Sequence, residues 1–270
     1  MSPVRPVLVC VGDSLTHGTL SDNWIPKVPP KIAEKMKFDK PQPSDFMDPV
    51  WIVNNGQNAI TSYTVLQSRL QSTMACYPDY VLLMIGTNDV LSMYSPAARA
   101  DKVSTWGLPE APSMDGFRRN IKGIVDFLVQ ASNKTQIGLC TLPPLGEELS
   151  SPANKLIKEA NEIIHEVGES AGDNVMVLQV GERMQDEIAK NNNGGKGSMK
   201  PEMMAPLMML FTPLYLFLGV PLKALSGIAK NCVLSDCVHL NESGGDIMAD
   251  VVCEWLFMKN IHKAIAVKQF

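Results

Sequence analysis

Two short motifs near opposite ends of the chain carry the three side chains that acyl transfer needs. Gly12-Asp13-Ser14-Leu15 follows the first apolar run, and Asp236-Cys237-Val238-His239 precedes the last helical pattern. A hydroxyl at Ser14, an imidazole at His239 and a carboxylate at Asp236 are a nucleophile, a general base and a group that orients the base. Ser14 alone is weak evidence, because most serines after a strand merely cap the next helix. Two further blocks add to it. Asn54-Asn55-Gly56-Gln57-Asn58 follows the second apolar run and Gly86-Thr87-Asn88-Asp89 the third. A glycine lets a backbone N–H face a neighbouring group, and the Asn88 amide donates hydrogen bonds. A serine, the Gly56 N–H and the Asn88 amide at adjacent strand ends make a nucleophile with an oxyanion hole.

These residues must be positioned by the elements between them. Residues 7–11, 51–54, 81–85, 136–141 and 175–180 read as five strands, short and rich in branched or bulky apolar side chains. Helical patterns lie near 61–72, 113–132 and 152–169, and in the last Ile157, Ala160, Ile163, Ile164 and Val167 form a core stripe. A final helix over 242–258 takes Asn241 as its N-cap. Repeated strand–helix alternation predicts a parallel, three-layer α/β/α sandwich with right-handed crossovers. In such sheets the site lies at the carboxyl ends of the strands, where Ser14, Gly56, Asn88 and Pro143-Pro144 all fall. Residues 92–112 read as a long connection that walls a pocket, and 191–198 (NNNGGKGS) as a flexible linker.

With these four blocks in order, the chain resembles the GDSL, or SGNH, hydrolase family, named for its Ser, Gly, Asn and His blocks. Here they would be Ser14, Gly56, Asn88 and His239. The resemblance spans nearly the whole chain except an insertion around 191–230 within a single domain of residues 1–270. It implies a flavodoxin-like five-stranded sheet, a Ser14-His239-Asp236 triad, and an oxyanion held by the N–H groups of Ser14 and Gly56 and by the Asn88 amide. It implies neither a metal nor an organic cofactor. The activity it implies is hydrolysis of carboxylic esters through an acyl-enzyme.

Other residues invite competing readings. Gly168-Glu169-Ser170-Ala171-Gly172 matches the G-x-S-x-G nucleophile elbow, which must follow a strand and open a helix. Here a helix precedes it and a strand follows, so Ser170 is rejected and both glycines are read as helix terminators. His17 is read as a pocket-edge or solvated residue, and His165 and His262 as structural. Asp13 is expected to orient the Ser14 turn and Asp89 to support the Asn88 loop.

Composition narrows the partners. A net charge of −4 without a block of like charge gives no reason to expect nucleic acid. Six scattered cysteines without a CxxC pair, and an N-terminus lacking a signal-peptide core, point to a reducing cytoplasmic setting. Residues 203–222 are uncharged and long enough for a membrane span. A single span there would put Ser14 and His239 on opposite sides of the bilayer, so the stretch is read as a packed insertion or as an apolar flap touching acyl chains or a lipid surface. Five of the sixteen methionines fall within 199–209, suiting an adaptable surface. The expected substrates are lipid-like or medium-chain acyl esters. A carbohydrate deacetylase, a thioesterase and a non-catalytic lipid-binding module are the alternatives.

Overall fold

The structure is a computed structural model that describes residues 5–36, 48–191, 195, 198 and 204–267. Strands β1 (Val7–Gly12), β2 (Trp51–Gly56), β3 (Tyr80–Met84), β4 (Gln136–Cys140) and β5 (Val175–Leu178) form one sheet in the order β2-β1-β3-β4-β5. Every neighbouring pair is parallel. This is the flavodoxin-like order, whose switch point lies between β1 and β3. β3 is buried throughout and β1 and β4 nearly so, which explains their continuous apolar runs. The edge strand β2 is half exposed.

Helices cover both faces. In chain order they are α1 (Ser14–His17), α2 (Val28–Lys35), α3 (Ser62–Ser68), α4 (Leu70–Met74), α5 (Thr87–Tyr94), α6 (Pro96–Trp106), α7 (Met114–Ala131), α8 (Pro152–Ser170), α9 (Val180–Asn191), α10 (Met204–Leu216), α11 (Leu222–Ala229), α12 (Glu242–Met258) and α13 (Ile261–Val267). One layer packs α3, α7 and α8 together, and the other α2, α9 and α12. Two glycines set the layer spacing. A Cβ on Gly138 of β4 would lie 3.0 Å from the Trp255 ring of α12, and one on Gly168 of α8 would lie 2.3 Å from Val177 Cγ2 of β5. Gly168 is therefore a close-approach residue inside α8 and not the terminator expected. Only Gly172, at φ 103°, follows the helix end.

Other boundaries also differ from the sequence pattern. Residues 92–112 contain all of α6, where Ser95 is the N-cap, its Oγ accepting from Ala98 N–H, and Pro96 opens the helix. A proline that reads as a breaker is here a starter, because its missing N–H falls where a helix has no use for one. The 61–72 pattern divides at Arg69, and the last strand stops at Leu178 because α9 begins at Val180. Asn241 does cap α12, accepting from Gly244 N–H at 3.1 Å.

The apolar stretch folds as a helical hairpin. Leu207 and Phe211 of α10 and Leu222, Leu225 and Ala229 of α11 pack with Cys237 in a small cluster separate from the main core. The 13 residues of α10 extend about 20 Å at about 1.5 Å per residue, short of the about 30 Å hydrocarbon core. Among the described residues no helix is long and apolar enough to cross a membrane. Most of the 192–203 stretch, including Met199, Met203 and the greater part of the expected linker, lies outside the described residues.

Candidate active site

Ser14 stands at the first turn after β1, where Asp13 caps α1 by accepting from Leu15 N–H at 3.0 Å. The Trp24 indole N–H donates to Leu15 O at 3.0 Å and pins this turn from the other side. His239 Nε2 lies 3.1 Å from Ser14 Oγ, and His239 Nδ1 lies 2.8 Å from Asp236 Oδ2. With Nδ1 protonated, His239 donates to Asp236 and accepts from the serine hydroxyl. The other oxygen of Asp236 accepts from the N–H groups of Val238 and His239, at 2.6 and 2.8 Å. The three-residue offset therefore makes a closed local turn that aims the ring. Ser14, Asp236 and His239 are all buried.

Electrostatics matches this geometry. Burial opposes ionisation of Asp236, but the His239 charge, its hydrogen bond and two backbone N–H groups outweigh it and hold the carboxyl below its usual value. Burial likewise disfavours imidazolium at His239, yet Asp236, and behind it Asp13, hold its pKa above the usual value. Asp13 is pushed up to about 7, chiefly by burial, with Leu15 N–H and His239 pulling the other way and Asp89 adding to the rise. Asp89 is raised to about 6 by burial against the hydrogen bonds of Ser62.

The Asn88 amide donates to Ile60 O at 3.0 Å and approaches Asp13 Oδ2 at 3.4 Å. It therefore lies against the residue that precedes the nucleophile. Asp89 accepts from Ser62 N–H and Oγ–H at 2.9 and 2.6 Å, tying α5 to the start of α3. Just before that start, Ala59 is held at φ 65°, a conformation disfavoured for a residue with a Cβ. Trp106 Nε1 donates to Ala59 O at 2.8 Å, so a contact from α6 holds the strain in place.

Gly56 is the last residue of β2, and its N–H donates to Asn54 Oδ1 at 3.0 Å. A Cβ there would lie 2.5 Å from His17 N. Its observed part is to let α1 lie against β2, and its N–H is already engaged. Ser170 Oγ donates to Val167 O at 3.0 Å in the last turn of α8. That end of α8 leads into β5, at the opposite end of the sheet from Ser14. His17 is exposed and hydrogen-bonded to Thr19, and His165 Nε2 lies 3.1 Å from Glu182.

Sequence reasoning missed the residues that hold the histidine loop. Glu147, wholly buried, accepts from the N–H groups of Cys232, Val233 and Leu234 at 2.7, 2.6 and 2.9 Å. Gly146 N–H donates to Cys237 O at 2.7 Å. The loop that carries Glu147 is itself fixed by α8. Asn161 receives Leu142 N–H at 2.7 Å, and Asn154 receives Leu145 N–H at 2.9 Å. Both asparagines sit on the apolar stripe of α8, two turns apart. Polar residues interrupting a buried stripe were the available signal. Nothing local marks Glu147.

A family model described as the GDSL-like lipase/acylhydrolase family matches residues 10–202. Comparison with curated proteins gives no match. Among solved structures, the acetyl xylan esterase AlAXEase is 17% identical over 93% of this chain and 99% of its own, with a TM-score of 0.63. Axe2, an acetylxylan esterase from Geobacillus stearothermophilus, is 16% identical over 97% and 96%, with a TM-score of 0.60. LAE5, an alpha/beta hydrolase enzyme from the metagenome of Lake Arreo, Spain, is 13% identical over 94% and 97%, with a TM-score of 0.61.

Proposed function

Because the chain belongs to the GDSL-like lipase/acylhydrolase family, we propose that it hydrolyses carboxylic esters at Ser14. The observation that carries this reading is the unbroken chain Ser14–His239–Asp236, at 3.1 and 2.8 Å. Ser14 Oγ attacks the ester carbonyl while His239 Nε2 takes its proton. The imidazolium, stabilised by Asp236, then returns the proton to the departing alcohol and leaves an acyl-serine. Water, deprotonated by the same imidazole, attacks that acyl group; the carboxylic acid leaves and Ser14 regains its hydrogen. The tetrahedral oxyanion rests on the Ser14 N–H and on the Asn88 amide hydrogen that leaves its long 3.4 Å contact with Asp13 Oδ2. Gly56 supports this pocket through packing while its N–H stays with Asn54.

The substrate class we favour is an acyl ester with an apolar chain. The support is α10–α11, an apolar hairpin whose cluster includes Cys237, within the same loop as His239. A second reading, removal of acetyl groups from a carbohydrate, is favoured by the acetylxylan esterases among the structural neighbours. Rates on p-nitrophenyl acetate and octanoate separate the two. Higher kcat/KM on octanoate is expected, and a preference for acetate would favour the carbohydrate reading. Ser14→Ala should abolish hydrolysis, a loss of at least about a thousandfold, and labelling by a fluorophosphonate, whereas Ser170→Ala keeps both. Activity retained in Ser14→Ala would overturn the assignment.

A further inference from the structure

We propose that the turn between α10 and α11 docks on an anionic lipid surface. The turn is apolar and bare: Phe217 and Leu218 are 82% and 72% exposed, and Met209, Leu210, Leu216 and Ile228 on the flanking helices are also exposed. The inner faces of the two helices are already spent on their own cluster with Cys237, so the exposed set is an outward surface and not a gap in the core. Six large apolar side chains on one hairpin exceed the scattered exposure that a folded chain ordinarily shows. Elsewhere among the described residues the exposed large apolar side chains, Trp51, Tyr77, Phe127 and Met258, stand singly on different elements.

Charge selects the occupant. From Met204 to Ser235 the chain has no Asp or Glu, and its only charged residues are Lys223 and Lys230. Both lysines are exposed, on a molecule whose net charge is −4. An apolar apex with Lys223 exposed in the adjoining first turn of α11, and Lys230 at the far end of that helix, suits the boundary of an anionic bilayer, where the apex enters the acyl region and Lys223 meets headgroup phosphates. A second copy of this chain fits less well, because an apex needs a matching apolar hollow, whereas lipid deforms around it. Lipid docking rests on the esterase reading for its purpose, bringing the histidine loop close to lipid esters, but it is measured without hydrolysis.

The test is flotation of the full-length protein with vesicles of phosphatidylcholine plus phosphatidylserine, and of phosphatidylcholine alone. Wild type and Ser14→Ala should float with the anionic vesicles. Lys223→Gln/Lys230→Gln should lower that partitioning on the order of tenfold, and Phe217→Ser/Leu218→Ser at least as much. A Phe217→Trp variant should show blue-shifted emission on anionic vesicles. Wild type that fails to float, a Phe217→Ser/Leu218→Ser variant that floats like wild type, or unshifted emission from the Phe217→Trp variant would each overturn docking. So would a wild-type dimer that the Phe217→Ser/Leu218→Ser variant converts to monomer, since the turn would then join two copies. Hydrolysis of a short water-soluble ester should be unchanged in that double variant. Persistence of the same hydrolysis in Ser14→Ala would sink the esterase reading and leave the lipid result standing.

Discussion

Asp13 is the residue on which the chemistry of the site turns most quietly. It caps the turn that presents Ser14, approaches the Asn88 amide, and adds a negative charge near His239. His239 acts as base only when neutral, so activity rises with pH through its raised pKa. Asp13, at about 7, ionises in the neutral range and is coupled to His239 by charge, so the acid limb of wild type should report two coupled groups. Asp13→Asn keeps an acceptor for Leu15 N–H and removes the charge. We expect its acid limb to move to lower pH and to fit a single ionisation, as read from kcat/KM against pH. An unmoved limb would mean that Asp13 carries no charge where the base titrates. The Asp236–His239 pair was legible in the sequence because its geometry is local, a three-residue turn. The effect of Asp13 on His239 was not, since it depends on burial and on contact between β1 and a loop more than two hundred residues away.

At the scale of elements, the histidine loop closes on itself through a short antiparallel bridge between Leu234 and Leu240, and the loop after β4 fixes it to the rest of the fold. Glu147 gathers three backbone N–H groups, which a carboxylate accepts and a carboxamide cannot match on both sides. Glu147→Gln should lose about 1–3 kcal/mol of stability and lower kcat with KM for a small ester little changed, as thermal unfolding and steady-state kinetics would register. Equal kcat in the variant would show that the loop holds itself. Gly168 tests the opposite case, an element contact remote from the chemistry. Gly168→Ala presses a methyl onto Val177 Cγ2 and should cost about 1–3 kcal/mol in unfolding experiments without altering kcat/KM. Strands and long amphipathic helices were readable because periodicity reports which face is buried. α6 was not, because Pro96 punctuates a pattern from either end of a helix and only the Ser95 cap says which.

For the whole molecule, two buried carboxylates near the nucleophile set a pH dependence of stability. Asp13 and Asp89 bind protons more tightly folded, near 7 and 6, than at their ordinary value of 3.8. Between about pH 4 and 7 the folded state therefore holds more protons than the unfolded one, and stability falls as pH rises through that window. Asp13→Asn should flatten this decline and melt higher than wild type above pH 7, a result calorimetry across pH would give directly. A parallel offset of the two curves would argue that Asp13 is ionised in the fold throughout. The hairpin of α10 and α11 stands apart from this core. Leaving Phe217 and Leu218 in water forgoes about 2 kcal/mol for each side chain, a cost that burial elsewhere would have removed.

The amino-acid order by itself determined the parallel three-layer sheet and the residues that meet in the site. Each rests on short-range information: alternation of apolar runs, glycines at strand ends, an Asp-x-x-His turn. Tertiary structure alone decided the rest. It placed Ser14 3.1 Å from His239, engaged the Gly56 N–H with Asn54, buried Glu147 beneath the histidine loop, and turned the apolar stretch into a hairpin with a bare apex. These depend on which surfaces the crossovers bring face to face, and burial, charge coupling and exposure exist only once that packing is complete.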